Sequence, residues 1–276
     1  MILDAFRLTD LVAIVTGAGA GIGREIAVAF AEAGADVVVA ARTAADLDDT
    51  VRLIEHTGRR GLAVVTDVMV EDDLNRLVST TVEQFGRLSV LVNNAGGTPP
   101  RSAMQTSSRY LTTALQFNAV APFLLSKLAA QAMVETDGSG SIVNVSSRSG
   151  DMVMNCMVAY GAGKAALNMV TQNMAAELAP RVRVNAIGVG GVATQSMDFV
   201  MSDDALRVQY ESNTPMARIG TPRDIAAAAL YLASPASSWV TGVMLRVDGG
   251  TTKPAFELPT PPLQPAQQAA HQQETP

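Results

Sequence analysis

The sequence is short of the groups that most often bind metals, form cross-links or hold nucleic acid. Cys156 is the single cysteine in 276 residues, so an intramolecular disulfide is impossible and a cysteine-based metal centre is not expected. The two histidines, His56 and His271, stand away from acidic residues at ligand spacing. His56 falls late in a predicted surface helix and His271 in a polar tail, both solvated settings. No metal-dependent chemistry is expected. Lysine occurs only at Lys127, Lys164 and Lys253, and there is no basic run. With a net charge of −6 and a pI near 5.0, the clustered cations needed for phosphate-backbone contacts are missing. Nucleic acid is therefore excluded as a partner.

Long apolar runs are lacking as well. No stretch approaches the roughly 20 apolar residues that span a bilayer. The N-terminus carries Asp4 ahead of any apolar run and has no positively charged leader region. The expectation is a soluble, cytoplasmic protein with no membrane partner.

What is present is a 48% apolar, 17% charged chain, which suits a folded domain with a sizeable core. Short β-branched runs at Leu11–Thr16, Asp36–Ala41, Gly61–Thr66, Leu88–Asn93, Ser141–Ser146, Arg181–Ile187 and Val243–Val247 are nearly continuously apolar. That pattern predicts strands buried on both faces of a parallel sheet. Helices are predicted between them at Arg24–Glu32, Thr43–His56, Asp72–Gln84, Tyr110–Met133, Ala159–Leu178 and Pro222–Leu232. Seven strands alternating with helices predict one α/β domain, a Rossmann-type, doubly wound, seven-stranded parallel sheet with helices on both faces, over residues 1–253. The Pro/Gln-rich tail, 254–276, cannot build a core of its own. It reads as a mobile extension, or else Phe256 and Leu258 dock on a neighbouring subunit or over the mouth of a site.

The first predicted strand runs into TGAGAGIG at 16–23 and then an Ala-rich helix. Gly17, Gly21 and Gly23 let the chain turn sharply, approach a pyrophosphate closely and aim helix N-terminal N–H groups at it. In this strand–turn–helix setting the spacing predicts dinucleotide binding. After the second strand the sequence reads Ala40, Ala41, Arg42, Thr43. A small neutral residue followed by Arg leaves room for a ribose 2′-phosphate and supplies a fork donor, so NADP(H) is favoured and NAD(H) is the alternative. An ordinary surface arginine leading into a helix fits Arg42 too. Asp67 could accept from the adenine amino group or cap a helix near Val68. Asn94, Ala95 and Gly96 would let a cofactor lie along the sheet edge, or form a simple turn.

Tyr160 and Lys164 are four apart in a predicted helix and so share one face. Reducing a ketone needs a proton donor at oxygen, and a phenol with a pKa of about 10 is poorly matched to neutral pH. A neighbouring cation favours the phenolate. Ser147 closes the fifth strand, at the carboxyl end where ligands bind in such sheets, and could stabilise charge on a substrate oxygen. Its neighbour Ser146 then points away. Each of these features alone is weak.

Together they carry a resemblance. From about Arg7 to Gly250 the chain resembles the short-chain dehydrogenases/reductases, through TGAGAGIG, Asp67, NNAG at 93–96, Asn118, Ser147, YGAGK at 160–164, Asn185 and VDGG at 247–250. The resemblance implies Tyr160 as general acid/base, with Lys164 lowering its pKa and binding the nicotinamide ribose. It implies Ser147 orienting the substrate oxygen and Asn118 holding a water in a proton relay. It places Ile22, Val68, Gly190 and Thr194 at the cofactor with the residues above, and implies a homotetramer or homodimer built on the helices carrying Asn118 and Tyr160. One departure stands out: Val189 replaces the family's usual proline beside the nicotinamide. Met152, Met154, Cys156 and Met157, with Met197, Phe199, Val200 and Met201 in a candidate lid, suit a small-molecule alcohol or ketone that is bulky and lipophilic, such as a hydroxysteroid. Several of them could instead pack core or interface. A 3-oxoacyl reductase is the rival, disfavoured by acidic Glu135 and Asp137 where an acidic carrier would dock. A cofactor-binding sensor or scaffold without chemistry is the non-enzyme alternative.

Overall fold

The computed structural model describes residues 1–255, 258–260 and 262–263. Phe256 and His271 lie outside the described residues, as do the side chains of Ser196 and Phe199.

The expected strands form as β1 (Val12–Thr16), β2 (Asp36–Ala41), β3 (Gly61–Val65), β4 (Val90–Asn93), β5 (Gly140–Ser147), β6 (Val182–Val189) and β7 (Met244–Val247). All pair in parallel, in the order β3-β2-β1-β4-β5-β6-β7. Between the strands lie helices α1 (Gly21–Glu32), α2 (Ala44–Glu55), α3 (Glu71–Phe85), α4 (Ser108–Leu115), α5 (Ala121–Asp137), α6 (Val158–Leu178), α7 (Asp198–Met201), α8 (Asp204–Ser212) and α9 (Pro222–Ala233). The period of two along each strand divides the core into two layers. Ala13, Val15, Val37 and Val39 face Ile26 and Phe30 of α1, Leu47 of α2 and Leu232 of α9. Ile14, Val38, Leu91 and Ile142 face Leu74 of α3, Leu125 of α5 and Met174 of α6. The strand order reverses between β1 and β4, which opens a crevice at their carboxyl ends where such sheets bind ligands.

Three features depart from the sequence expectations. The single helix expected over Tyr110–Met133 is α4 and α5 joined by a π turn, Gln116–Val120, which contains Asn118. One extra residue in a turn leaves apolar periodicity nearly unchanged, so it is invisible to a pattern of period 3.6. The continuous helical stretch Ser108–Asp137 is also long and apolar enough to cross a membrane by length and composition, although 56% of its most apolar window is buried within this fold. Finally, the packed structure runs past residue 253. Ala255 is buried, Leu258 packs beside it against Val200 of α7 and Tyr210 of α8, and Asn213 Nδ2 donates to Ala255 O at 2.9 Å.

Phe30 is fully buried between α1 and the sheet. Phe30→Ala is expected to lower stability by about 3–5 kcal/mol, read from the midpoint of a denaturant melt.

Candidate active site

At the first crevice wall, Gly17 and Gly21 adopt left-handed φ values of +63° and +55° that L side chains rarely take. A Cβ on Gly23 would lie 2.3 Å from Gly17 O, so only glycine lets the turn close on its own helix. Ala20 at the N-cap of α1 offers no side-chain oxygen to the first-turn N–H groups, and no acidic residue lies in that turn. The helix start therefore suits a bound anion, which fits a dinucleotide pyrophosphate. Ile22 anchors the turn against the core. Thr50 Oγ1 donates to Ala18 O at 2.8 Å and accepts from Arg24 Nε at 3.1 Å, while Arg24 Nη2 also reaches Gly19 O. Sequence reasoning passed over both residues, because neither carries a motif.

Thr16 joins this wall to the next. Its hydroxyl donates to Val92 O at 3.3 Å and accepts from the main-chain N–H groups of Asn94 and Ala95, each at 3.0 Å. Asn94 Nδ2 returns to Thr16 O at 2.9 Å and Gly17 O at 3.2 Å. The loop after β4 is thereby drawn over the glycine turn and leaves Gly96 facing the opposite wall. A Cβ there would sit 3.0 Å from Lys164 Nζ and 3.1 Å from Asn118 Oδ1. At the adenosine end, Arg42 is exposed at the end of β2, and Asp46 in the first turn of α2 leans over Gly19. Asp67 accepts from Met69 N at 3.0 Å through one carboxylate oxygen, and Val68 packs against the core.

β5 delivers Ser147 to the same space. Ser146 does point the other way, with its hydroxyl donating to Asn168 Oδ1 at 2.6 Å. Ser147 Oγ accepts from Ser149 N at 3.1 Å and lies beside the half-buried Tyr160. Burial pushes the Tyr160 phenol above its ordinary pKa, and the Ser147 hydroxyl pulls it back. Lys164 is buried with its Nζ donating to Val145 O at 2.8 Å and standing 5.8 Å from the Tyr160 ring centroid. Burial lowers its pKa to about 8. Asn118 is fully buried. Its Oδ1 accepts from Gly97 N at 2.9 Å, and its Nδ2 donates to Thr98 Oγ1 and Ala114 O, both at 3.0 Å. Its side-chain amide is thus satisfied by protein groups.

The far wall is the loop after β6. Val189 extends β6 by one register step, paired with Ser147 and Val247, so a strand residue stands where the family's proline would end the ladder. Gly190 abuts Asp248, whose Cα would lie 2.7 Å from an added Cβ, and the Thr194 methyl approaches Gly21. Gly191 N donates to the buried Tyr210 hydroxyl at 2.6 Å. Met152, Met154, Cys156 and Met157 are half-buried in the stretch after Ser147, whereas Val200 is fully buried in a small cluster of its own with Tyr210, Ile219 and Ala255. Val200 is therefore core between α7, α8 and the tail and does not line a cleft. Asn185 bridges β6 to the approach of β7, donating to Val240 O at 2.9 Å and accepting from Val243 N at 3.2 Å.

Thr16→Val would leave two main-chain N–H groups at the join of β1 and β4 without an acceptor. It is expected to cost about 1–3 kcal/mol in a denaturant melt and to weaken dinucleotide binding in fluorescence titration.

The fold agrees with comparisons to known proteins. A family model described as enoyl-(acyl carrier protein) reductase matches residues 17–252. An uncharacterized oxidoreductase of Mycobacterium tuberculosis (strain CDC 1551 / Oshkosh) is 46% identical over 263 residues, 95% of this chain and 100% of that protein. The 7alpha-hydroxysteroid dehydrogenase of Escherichia coli (strain K12) is 38% identical over 248 residues, 90% of this chain and 96% of its own length. A solved 7alpha-hydroxysteroid dehydrogenase in complex with NADH and 7-oxo glycochenodeoxycholic acid superposes with a TM-score of 0.88 at 36% identity, covering 92% of this chain and 99% of that one. The chain belongs to the short-chain dehydrogenase/reductase family, whose members bind NAD(P)(H) and act on alcohol or ketone groups.

Proposed function

We propose that the enzyme interconverts a secondary alcohol and a ketone with Tyr160 as the general acid/base. The observation that carries this reading is the convergence of Ser147, Tyr160 and buried Lys164 at the carboxyl end of β5, 5.8 Å separating the ammonium from the phenol ring centroid. In reduction the Tyr160 hydroxyl gives its proton to the substrate oxygen; in oxidation its phenolate takes the proton of the substrate hydroxyl. Burial opposes the phenolate, so its stability depends on the groups around it. The Lys164 ammonium favours the anion through space, and the Ser147 hydroxyl holds the substrate oxygen while bonding to Tyr160. Asn118, whose Oδ1 stands with Lys164 Nζ against Gly96, is assigned the task of ordering water beside Lys164. When bound, the nicotinamide supplies or accepts the hydride. Its ribose would be held by Tyr160 and Lys164, its ring by Gly190 and Thr194, its pyrophosphate by Gly17, Gly21, Ile22 and Gly23 and its adenosine half by Arg42, Asp67 and Val68, with Asn94, Ala95 and Gly96 flanking it along the sheet edge.

We assign NADP(H) ahead of NAD(H) on the exposed guanidinium of Arg42 after the small Ala41, a fork donor for a 2′-phosphate; the Asp46 carboxylate beside Gly19 is the feature that favours NAD(H) instead. A lipophilic substrate such as a hydroxysteroid is supported by the half-buried methionines in the stretch after Ser147 and by the likeness to the 7-oxo glycochenodeoxycholic acid complex. A 3-oxoacyl reductase is the second reading, and the matching family model, described as an enoyl-(acyl carrier protein) reductase, shares with it only the acyl-carrier substrate. The charge objection to it also narrows, because Asp137 is paired with Arg87, whose Nε donates to it at 2.6 Å, leaving Glu135 as the exposed anion there. The outer faces of the π turn, α5 and α6 expose Val120, Phe123, Val158 and Met169, which supports self-association as a homodimer or homotetramer through these helices.

The decisive measurement is cofactor oxidation at 340 nm over steroid, aliphatic and cyclic ketones with NADPH and NADH. Tyr160→Phe is expected to reduce kcat by about 10³-fold or more while leaving the cofactor Kd within a few-fold; wild-type turnover by this variant would refute the mechanism. Arg42→Ala is expected to raise the Kd of NADPH by about 10-fold or more and to leave NADH nearly unaffected. Equal effects on both cofactors would remove the phosphate-clamp reading.

A further inference from the structure

The residue after Ser147 is an arginine with almost no access to solvent. The Arg148 and Asp248 side chains are 7% and 8% exposed, and Arg148 Nε lies 2.6 Å from Asp248 Oδ2, a charge contact without the alignment of a hydrogen bond. Arg148 Nη1 also meets both oxygens of Asp151, and its Nη2 donates to Thr251 O at 3.4 Å. Arg246 of β7 closes the chain, with Nη2 donating to Asp151 Oδ2 at 2.8 Å. Two cations and two carboxylates thus alternate between the end of β5 and the end of β7.

A buried ion pair is weak as a source of stability, because removing both charges from water costs about as much as their attraction returns. What it does well is fix geometry, and here the geometry belongs to Ser147. The turn Arg148–Gly150 follows that serine, and Ser147 Oγ caps it by accepting from Ser149 N. On one side the turn is pressed against α6. A Cβ on Gly150 would lie 2.9 Å from the Lys164 carbonyl carbon, and one on Gly161 would lie 2.7 Å from Ser149 O. On the other side the described contacts that hold it are those of Arg148 and Asp151. Asp248 in turn abuts Gly190. One guanidinium therefore ties the serine turn, the end of β7 and the loop after β6 into a single frame.

We propose that Arg148 is a positioning residue that, through its buried pairing with Asp248 and Asp151, holds the turn presenting Ser147 to Tyr160. The proposal rests on the reading of Ser147 and Tyr160 as the reacting pair. Arg148 touches neither substrate nor cofactor; it acts through Ser147.

The test is a double-mutant cycle of Arg148→Met and Ser147→Ala, using the panel ketone of highest turnover with NADPH. Arg148→Met is expected to lower kcat by about 10²-fold, the scale of a displacement near 1 Å at a reacting group. The NADPH Kd should stay within a few-fold, and Arg148→Lys should recover part of kcat. In the Ser147→Ala background the same change should have little further effect. Difference absorbance at 295 nm, each protein against its own Tyr160→Phe version, reads the phenol without any substrate. Loss of the Ser147 interaction should move that ionisation to higher pH in Arg148→Met, since the serine lowers it. If Arg148→Met does not fold, Asp248→Asn, which leaves Arg148 its pairing with Asp151, should show the same changes in smaller measure. Wild-type kcat and an unmoved phenol in the folded variant would overturn the proposal, as would an equal loss in both serine backgrounds. If Ser147→Ala itself turns over at the wild-type rate, the failure lies with the assigned reacting pair.

Discussion

The hydroxyl of Thr16 meets three main-chain groups where β1 and β4 part, and the site is assembled around that contact. In a parallel sheet the strands end together, but their loops are free to diverge. Thr16 removes that freedom from the loop after β4 by accepting from two successive N–H groups while it donates to Val92. Asn94 reinforces the join through its side chain. Gly96 is then delivered to Lys164 and Asn118, with room for no side chain between them. The anion-accepting helix start and the titratable end of the crevice are set at a fixed separation by one threonine.

Polar groups are buried throughout this half of the molecule, and nearly all are satisfied. Asn93 donates to Ser126 Oγ at 2.9 Å and to Asn144 Oδ1 at 2.8 Å, and Asn144 passes the network to Thr171 at 2.8 Å. These bonds link β4 and β5 to α5 and α6, the helices flanking the site. A fully connected network of this kind is sensitive to displacement, because each lost partner leaves an unpaired group in a low-dielectric interior. The sheet beneath Ser147 is therefore stiff where the chemistry needs a defined distance.

The architecture was legible because its signal is local: buried strands are continuous apolar runs, and the glycine turn sits between a strand and a helix. Ser147, Tyr160 and Lys164 could be read because the first ends a strand and the others share a helix face. Asn118 was legible as a position but not as a conformation, since the π turn preserves composition and nearly preserves the apolar period. Arg148 and Asp248 are 100 positions apart, and nothing in either neighbourhood announces the other. Val200 illustrates a different limit. Its position among methionines suggests a cleft lining, yet it is fully buried beneath the tail residues Ala255 and Leu258. Apolar character alone cannot separate a wall from the core behind it.

Tyr210 couples α8 to the loop after β6. Its hydroxyl accepts from Gly191 N, and a Cβ on Gly191 would stand 2.0 Å from that oxygen, so the phenol fills the place a side chain would take. Helix α8 is thereby latched to the loop after β6. Swinging α8 outward would break a buried bond or drag that segment with it, so helix and loop are mechanically one body.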